Sequence, residues 1–237
     1  MSTGLITGAA GGIGSACARA LAGSAEVIVL TGRRSEALER IAAEVGGRTA
    51  VVVADITTGE GRDAVLAAIG DSLSWVVLAS GVPARKPLTE LGEDEVTETL
   101  AANLLGPTLL LRRLLQLSWQ PPAAVVAIGS ISATRSLPGR SVYASSKAGI
   151  EHLARTLAAE VAASGIRVNV VAPGVIDTPF LGDATAAFAE WVDARVPLAR
   201  AGTPEEVAEL VRYLNLEAPP YLTGARIAVD GGAETVG

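Results

Sequence analysis

The chain has 237 residues and a net charge of −6, and among its 19 basic residues only Lys86 and Lys147 are lysines. The length fits one large or two small domains that need no staples. One Cys (Cys17) excludes a disulfide framework, one Cys with one His (His152) excludes a Cys/His zinc site, and the negative charge argues against a nucleic-acid or anionic-membrane binder.

In chain order, the apolar run Leu5-Ile6-Thr7 predicts a first strand, followed by a glycine-rich turn and a helix from Gly14 to Ala22. Val27 to Leu30 predicts a second strand, and Ser35 to Val45 a helix opened by a serine cap. Ala50 to Val53, a helix from Gly59 to Ile69, and Trp75 to Leu78 continue the alternation. A long apolar helix over Glu95 to Leu117 precedes a strand at Ala124 to Ile128. The helix Val142 to Ala163 then places Ile150, Leu153, Ala154, Leu157 and Val161 on one face. Val168 to Val171 is a strand, and Pro173 to Gly202 a long connection that reads as a substrate loop or lid. Thr203-Pro204-Glu205-Glu206 supplies an N-cap, a proline at the first helical position and acidic first-turn residues, and Arg226 to Val229 is the last strand.

The strand runs are continuously apolar, as in strands buried on both faces of a parallel sheet. Seven of them alternating with helices predict an α/β fold: a Rossmann-type, doubly wound, seven-stranded parallel sheet with helices on both faces. No repeat or linker interrupts residues 1–237, which read as a single domain. The start, Met1 to Leu5, lacks a basic and apolar leader, and the most apolar stretch, Leu104 to Leu117, is broken by Arg112-Arg113. The expectation is a cytoplasmic protein with no membrane or nucleic-acid partner.

The turn Thr7-Gly8-Ala9-Ala10-Gly11-Gly12-Ile13-Gly14 joins a strand to a helix, the context in which glycines let a pyrophosphate approach a helix N-terminus. Gly8, Ala10, Gly12, Ile13 and Gly14 are therefore candidates for binding a dinucleotide. At the end of the second strand a carboxylate would bond the ribose of NAD, and an arginine would suit the 2′-phosphate of NADP. The chain has Arg33-Arg34 there and no acid before Glu36, so NADP is preferred, with NAD possible.

Tyr143 and Lys147 lie one helical turn apart on one face. Hydride transfer to a ketone creates an alkoxide that needs a proton and hydrogen-bond donors. An ammonium near a phenol lowers its pKa, so Tyr143 serves as acid or base. Ser130 follows the fifth strand, at the sheet edge where ligands bind, placed to donate to the carbonyl oxygen.

With these residues in view, the whole chain resembles the short-chain dehydrogenase/reductase family. The resemblance implies that Tyr143 is the acid/base, that Lys147 lowers its pKa and holds the nicotinamide ribose, that Ser130 polarises the carbonyl, and that Asn103 in Asn103-Leu104-Leu105-Gly106 orders a relay to the lysine. It implies adenine contacts at Asp55-Ile56, passage of the cofactor at Gly81, and a loop at Pro173, Gly174, Ile176 and Thr178 that holds the nicotinamide amide. Asp230-Gly231-Gly232 resembles the family's C-terminal ending. Where the family carries Asn-Asn-Ala-Gly, this chain has Leu78-Ala79-Ser80-Gly81, which leaves the local sheet bonds open. Ser132, Val175, Phe180, Leu181, Phe188 and Trp191 are candidates for an apolar substrate wall.

The reading is an NADP(H)-preferring oxidoreductase that interconverts a small-molecule secondary alcohol and ketone. The first alternative is a 3-oxoacyl-acyl-carrier-protein reductase, which the chain resembles in its Val196 to Pro204 run. Pro122-Ala123 and Ser164-Gly165 stand where such enzymes carry basic docking residues, with Arg135 and Arg140 as partial compensation. An alternative from another class is a catalytically dead cofactor-sensing protein, which the presence of all four site residues disfavours. The resemblance also implies a homo-tetramer paired through the Glu95 and Val142 helices, the latter with Ala148, Ala158, Ala159 and Ala162 on its face. His152, Cys17, Trp75 and Trp119 read as packing or interface residues.

Overall fold

A computed structural model describes residues 2–236. Its strands are β1 (Thr3–Thr7), β2 (Val27–Gly32), β3 (Thr49–Val53), β4 (Ser72–Leu78), β5 (Ser118–Ile128), β6 (Arg167–Pro173) and β7 (Arg226–Val229). All pair in parallel in the order β3-β2-β1-β4-β5-β6-β7. Strand order reverses between β1 and β4, the place where doubly wound sheets open a crevice at their carboxyl ends.

The helices are α1 (Gly12–Ala20), α2 (Ser35–Val45), α3 (Gly59–Ile69), α4 (Glu93–Leu100), α5 (Gly106–Leu114), α6 (Ser141–Val161), α7 (Thr185–Arg195) and α8 (Pro204–Leu216). Side chains alternate across each strand, so neighbours in sequence enter opposite cores. Leu5, Val76, Val125 and Val168 pack with Leu110, Leu114, Ile150 and Leu157 of α5 and α6. Ile6, Val77, Val126 and Val171 pack with Cys17, Leu38, Val207 and Val211 of α1, α2 and α8. Both faces are covered, which is why the strand sequences show no polar alternation.

Several boundaries differ from the sequence reading: β1, β2, β4 and β6 run longer than their apolar runs, and α6 ends at Val161. Helix α1 begins at Gly12, inside the glycine turn. The predicted Glu95 to Leu117 helix is α4 and α5 joined by a π turn, Ala101–Leu105, and it stops at Leu114. β5 starts at Ser118, pairing Ser72 and Leu73 with Ser118 and Trp119 before the apolar run begins. No helix among the described residues is long and apolar enough to cross a membrane.

Cys17 is fully buried, and burial pushes its thiol up to about 12, which makes it an inert small hydrophobe. Trp75 is buried and Trp119 donates its indole N–H to the Leu114 carbonyl. His152 is exposed, so it packs against nothing within the chain's own core. Ala159 on α6 and Ala162 just after it are exposed, but Ala158 is buried, which removes it from any outward face.

Candidate active site

A cleft of about 1010 Å³ opens along the carboxyl edge of the sheet. Every residue put forward for catalysis, cofactor or substrate lines it except Asn103, which is buried behind Gly81.

At one end, Gly8 turns the chain at φ +65°, and a Cβ there would lie 2.6 Å from the Ala79 carbonyl oxygen. Only glycine serves both demands. The N-terminus of α1 that follows has no side-chain cap and no acidic first-turn residue, so its N–H groups and positive dipole end face the cleft unopposed. The β1–β4 seam left open by the Leu78-Ala79-Ser80 departure is closed by Thr7, whose hydroxyl oxygen accepts the Ser80 N–H at 3.3 Å. Ala10, Ile13, Arg33 and Arg34 border this end, joined by Arg40, which the sequence reading did not single out. Arg34 donates to the Ala10 carbonyl at 2.5 Å, and Arg33 pairs with Glu98 at 3.6 Å. Burial pushes the Asp55 carboxyl up, but two hydrogen bonds from Thr57 and the nearby Arg33 outweigh it and hold it below the usual range. Ile56 lies beside it.

At the other end stand Ser130, Tyr143 and Lys147. Ser130 follows β5 and lines the cleft with Tyr143, and its hydroxyl accepts the Ser132 N–H at 3.1 Å. Lys147 donates to the Ile128 carbonyl at 2.8 Å, with its Nζ 6.0 Å from the Tyr143 ring centroid. Burial holds the Lys147 pKa down to about 8, with Glu151 opposing. Burial raises the Tyr143 pKa, opposed by the Ser130 hydroxyl, Arg140 and Arg85. The protonated phenol is therefore the resting form at neutral pH.

Asn103 sits in the π turn, a local widening common at functional sites. Its amide accepts the Val82 N–H at 2.7 Å and donates to the Val82 carbonyl and to Ser146 at 3.0 Å each. It thus ties the segment after β4 to α6, and its oxygen and Lys147 Nζ both come close to Gly81. No hydrogen bond joins it to Lys147 directly among the described residues.

Pro173, Gly174, Val175, Ile176 and Thr178 form the wall opposite α1. Beyond them, Phe180, Leu181, Phe188 and Trp191 line the cleft beside Tyr143, with the Phe180 and Tyr143 ring centroids 6.1 Å apart. Trp191, on α7, also packs against Val192, Val196, Ile131 and Ala233.

From residue 8 to 234 the chain matches the family described as enoyl-(acyl carrier protein) reductase. It is 36% identical over 239 residues to cis-4-hydroxycyclohexanecarboxylate dehydrogenase of Sinomonas cyclohexanicum, covering 98% of this chain and 96% of that one. It is 33% identical to the 3-oxoacyl-[acyl-carrier-protein] reductase of Pseudomonas aeruginosa, covering 96% and 95%. The crystal structure of a 3-oxoacyl-[acyl-carrier protein] reductase from Brucella melitensis in complex with NAD superposes with a TM-score of 0.90 at 27% identity, covering 100% of this chain and 98% of that one. The chain belongs to the short-chain dehydrogenase/reductase family. As a member of that family it is an NAD(P)-dependent oxidoreductase.

This dehydrogenase/reductase carries a buried charge network behind Ser130 that the sequence reading missed. Glu151, one turn beyond Lys147 on α6, accepts the Ser130 N–H at 2.9 Å and the Arg226 Nε–H at 2.7 Å. A Cβ on Gly129 would lie 2.2 Å from the Glu151 carboxylate, so residue 129 must be glycine for the carboxylate to fit. Arg226 also forks onto Glu234 at 2.7 and 2.8 Å. The available signals were the Tyr143-Lys147-Glu151 spacing and an arginine opening an otherwise apolar strand. Breaking one partner of a buried pair leaves an uncompensated charge. Glu151→Ala is therefore expected to cost about 3 kcal/mol. That corresponds to a Tm lower by about 6 °C or more in a chain of this size. A melting curve unchanged by the substitution would show that the network is not holding the Ser130 segment.

Proposed function

We propose that this enzyme interconverts a secondary alcohol and a ketone with a preference for NADP(H), and that it does so through Ser130, Tyr143, Lys147 and Asn103. The observation that carries this reading is that Ser130 and Tyr143 face the cleft together at the carboxyl edge of the sheet, with Lys147 buried one turn behind the phenol. Bound NADPH supplies the hydride. The uncapped α1 terminus and the Gly8 turn fit its pyrophosphate, Asp55 and Ile56 its adenosine, and Thr178 and Ile176 its nicotinamide side. In reduction, Ser130 holds the carbonyl oxygen and Tyr143 gives that oxygen its proton. In oxidation, the phenolate takes the proton back. Asn103 keeps the Val82 segment and α6 in register around Lys147. Residues 173–202, with α7, act as the substrate lid of a single-domain enzyme that works in the cytoplasm. Relatives named for oxidation of a hydroxycyclohexanecarboxylate and of galactitol support the alcohol end of the reaction. A ketone and alcohol panel assayed by NADPH absorbance tests it. Cofactor binding with no turnover across the panel would favour the sensing alternative.

The NADP preference rests on Arg33, Arg34 and Arg40 around the end of β2, where among the described residues no carboxylate but the Thr57-bonded Asp55 and the Arg33-paired Glu98 faces the cleft. NADPH is expected to bind at least ~10-fold tighter than NADH, about 1.4 kcal/mol. Fluorescence titration checks this, and Arg33→Ala is expected to erase the margin. Equal affinities in the unaltered enzyme would remove the assignment.

The 3-oxoacyl-carrier-protein reading has support from the Pseudomonas relative. The two compensating arginines tell against it. Arg135 donates to the Val236 and Ala233 carbonyls, and Arg140 turns into the cleft over Phe188, so neither is presented outward for an acidic carrier. Activity on acetoacetyl thioesters against simple ketones separates the two. We further propose a homo-tetramer paired through α4, α5 and α6, where Leu100 and Leu105 are exposed. Light scattering measures its mass directly.

A further inference from the structure

The substrate end of the cleft is cationic in a protein that is otherwise acidic. Arg85 and Arg140 both line it, half-buried, on the lid side of Tyr143. They face the same ring, with guanidinium carbons 5.4 and 5.2 Å from the Phe188 centroid, and Arg85 also lies 5.5 Å from that of Phe180. The only carboxylates among the described lining residues, Asp55 and Glu98, stand beside Arg33 at the far end. None of the ion pairs among the described residues includes Arg85 or Arg140.

The two arginines differ in what they already hold. Arg85 donates through both Nη atoms to the Phe180 and Leu181 carbonyls, which pins the lid, while its buried Nε has no partner. The Arg140 guanidinium has no hydrogen-bond partner at all among the described residues, only the face of Phe188. A half-buried, unpaired guanidinium next to a second one is costly, since burial and like charge both disfavour it. Among the described residues only the Phe188 ring and the Tyr143 phenol work against that cost. A ligand bearing negative charge would offset it, by a charge-assisted and bidentate contact.

We propose that Arg140, flanked by Arg85, binds the anionic end of the substrate, and that the substrate is a secondary alcohol or ketone carrying a carboxylate on an apolar spacer. The inference rests on the carbonyl–alcohol reading of Ser130 and Tyr143. The apolar spacer follows from Phe180, whose ring neighbours both the Tyr143 ring and Arg85, and from Phe188, which carries Arg140. A single-charge carboxylate matches the Arg140 guanidinium, which has no hydrogen-bond partner among the described residues. Phosphate shares the chemistry and is distinguished by experiment. A rival role for the arginines, tuning of the Tyr143 phenol, would affect charged and neutral substrates alike.

The test is calorimetric binding to the full-length protein saturated with NADP⁺, using cyclohexylacetate, cyclohexylacetamide and cyclohexylmethyl phosphate as probes. The carboxylate is expected to bind at least ~10-fold tighter than the amide, with a margin that shrinks as salt is added. In Arg140→Gln the ratio is expected to fall below ~2-fold, and Arg140→Lys to restore part of it. Equal binding of acid and amide by the unaltered protein overturns the proposal without any variant having to fold. So does a ratio that survives Arg140→Gln, or a phosphate that binds ~10-fold tighter than the carboxylate. A parallel panel of neutral ketones with NADPH separates the two readings. Turnover there without anion discrimination leaves the reaction standing and removes the anion site. Discrimination without turnover on any ketone, neutral or acidic, keeps the anion site and removes the reaction.

Discussion

Replacing Tyr143 with phenylalanine is expected to lower kcat by at least ~100-fold, the usual weight of a positioned general acid. The substitution removes one oxygen and leaves the ring. That ring is buried and lies against Phe180 at 6.1 Å, so the packing that positions the lid is retained. What disappears is the proton given to the carbonyl oxygen. KM for a neutral ketone should change far less than kcat, because the lost interaction matures in the transition state. Steady-state kinetics at neutral pH reads both. Near-normal turnover would mean that another group supplies the proton. Because burial raises the Tyr143 pKa above its ordinary value, the loss should be large in the reduction direction, where the protonated phenol is the working form.

The parts of this molecule that sequence made legible are those encoded locally. Leu5 and Ile6, or Val76 and Val77, are both apolar because each faces a different core, and that doubling marks a buried parallel strand. Helices α2 and α3 end where Gly46 and Gly70 stop them, and their bounds were readable to the residue, but Ser35 is the first helical residue of α2 and not its cap, a position Arg34 takes without a side-chain hydrogen bond. The π turn at Asn103 was not readable, since one extra residue in a helical turn leaves the apolar pattern nearly intact. The early start of β5 was hidden because Ser118 to Pro122 carries no apolar run.

The same division holds at the site. Tyr143 and Lys147 are neighbours by helical spacing, and the glycine turn is a local feature. The Glu151–Arg226 pair spans 75 positions, and only the fold brings it under Ser130. The aim of Arg140 depends on where α7 places Phe188. Chemistry carried by a local backbone motif was visible, and chemistry assembled across loops was not.

Lys147→Arg is expected to lower kcat by at least ~100-fold, whereas Lys86→Arg should be nearly silent, although both exchange one cation for another. The difference lies in surroundings. Lys86 is half-exposed and pairs with Glu95 at 2.7 Å on the surface, an arrangement arginine reproduces. Lys147 is buried, with its ammonium fitted between the Ile128 carbonyl at 2.8 Å and the Gly81 backbone. A planar guanidinium is too wide for that position, and overpacking a filled site forces neighbours to move. The pH profile gives a second reading. Burial lowers the Lys147 pKa to about 8, so the ammonium is present below that pH and lost above it. Reduction by the unaltered enzyme is therefore expected to decline as pH rises past about 8. The Tyr143 phenol, raised above its ordinary value, would produce its own decline only at higher pH. Arginine does not titrate in this range, so the residual activity of Lys147→Arg should lack the decline near pH 8. A variant that keeps both its turnover and that decline would show that the ammonium of Lys147 is not the group that matters.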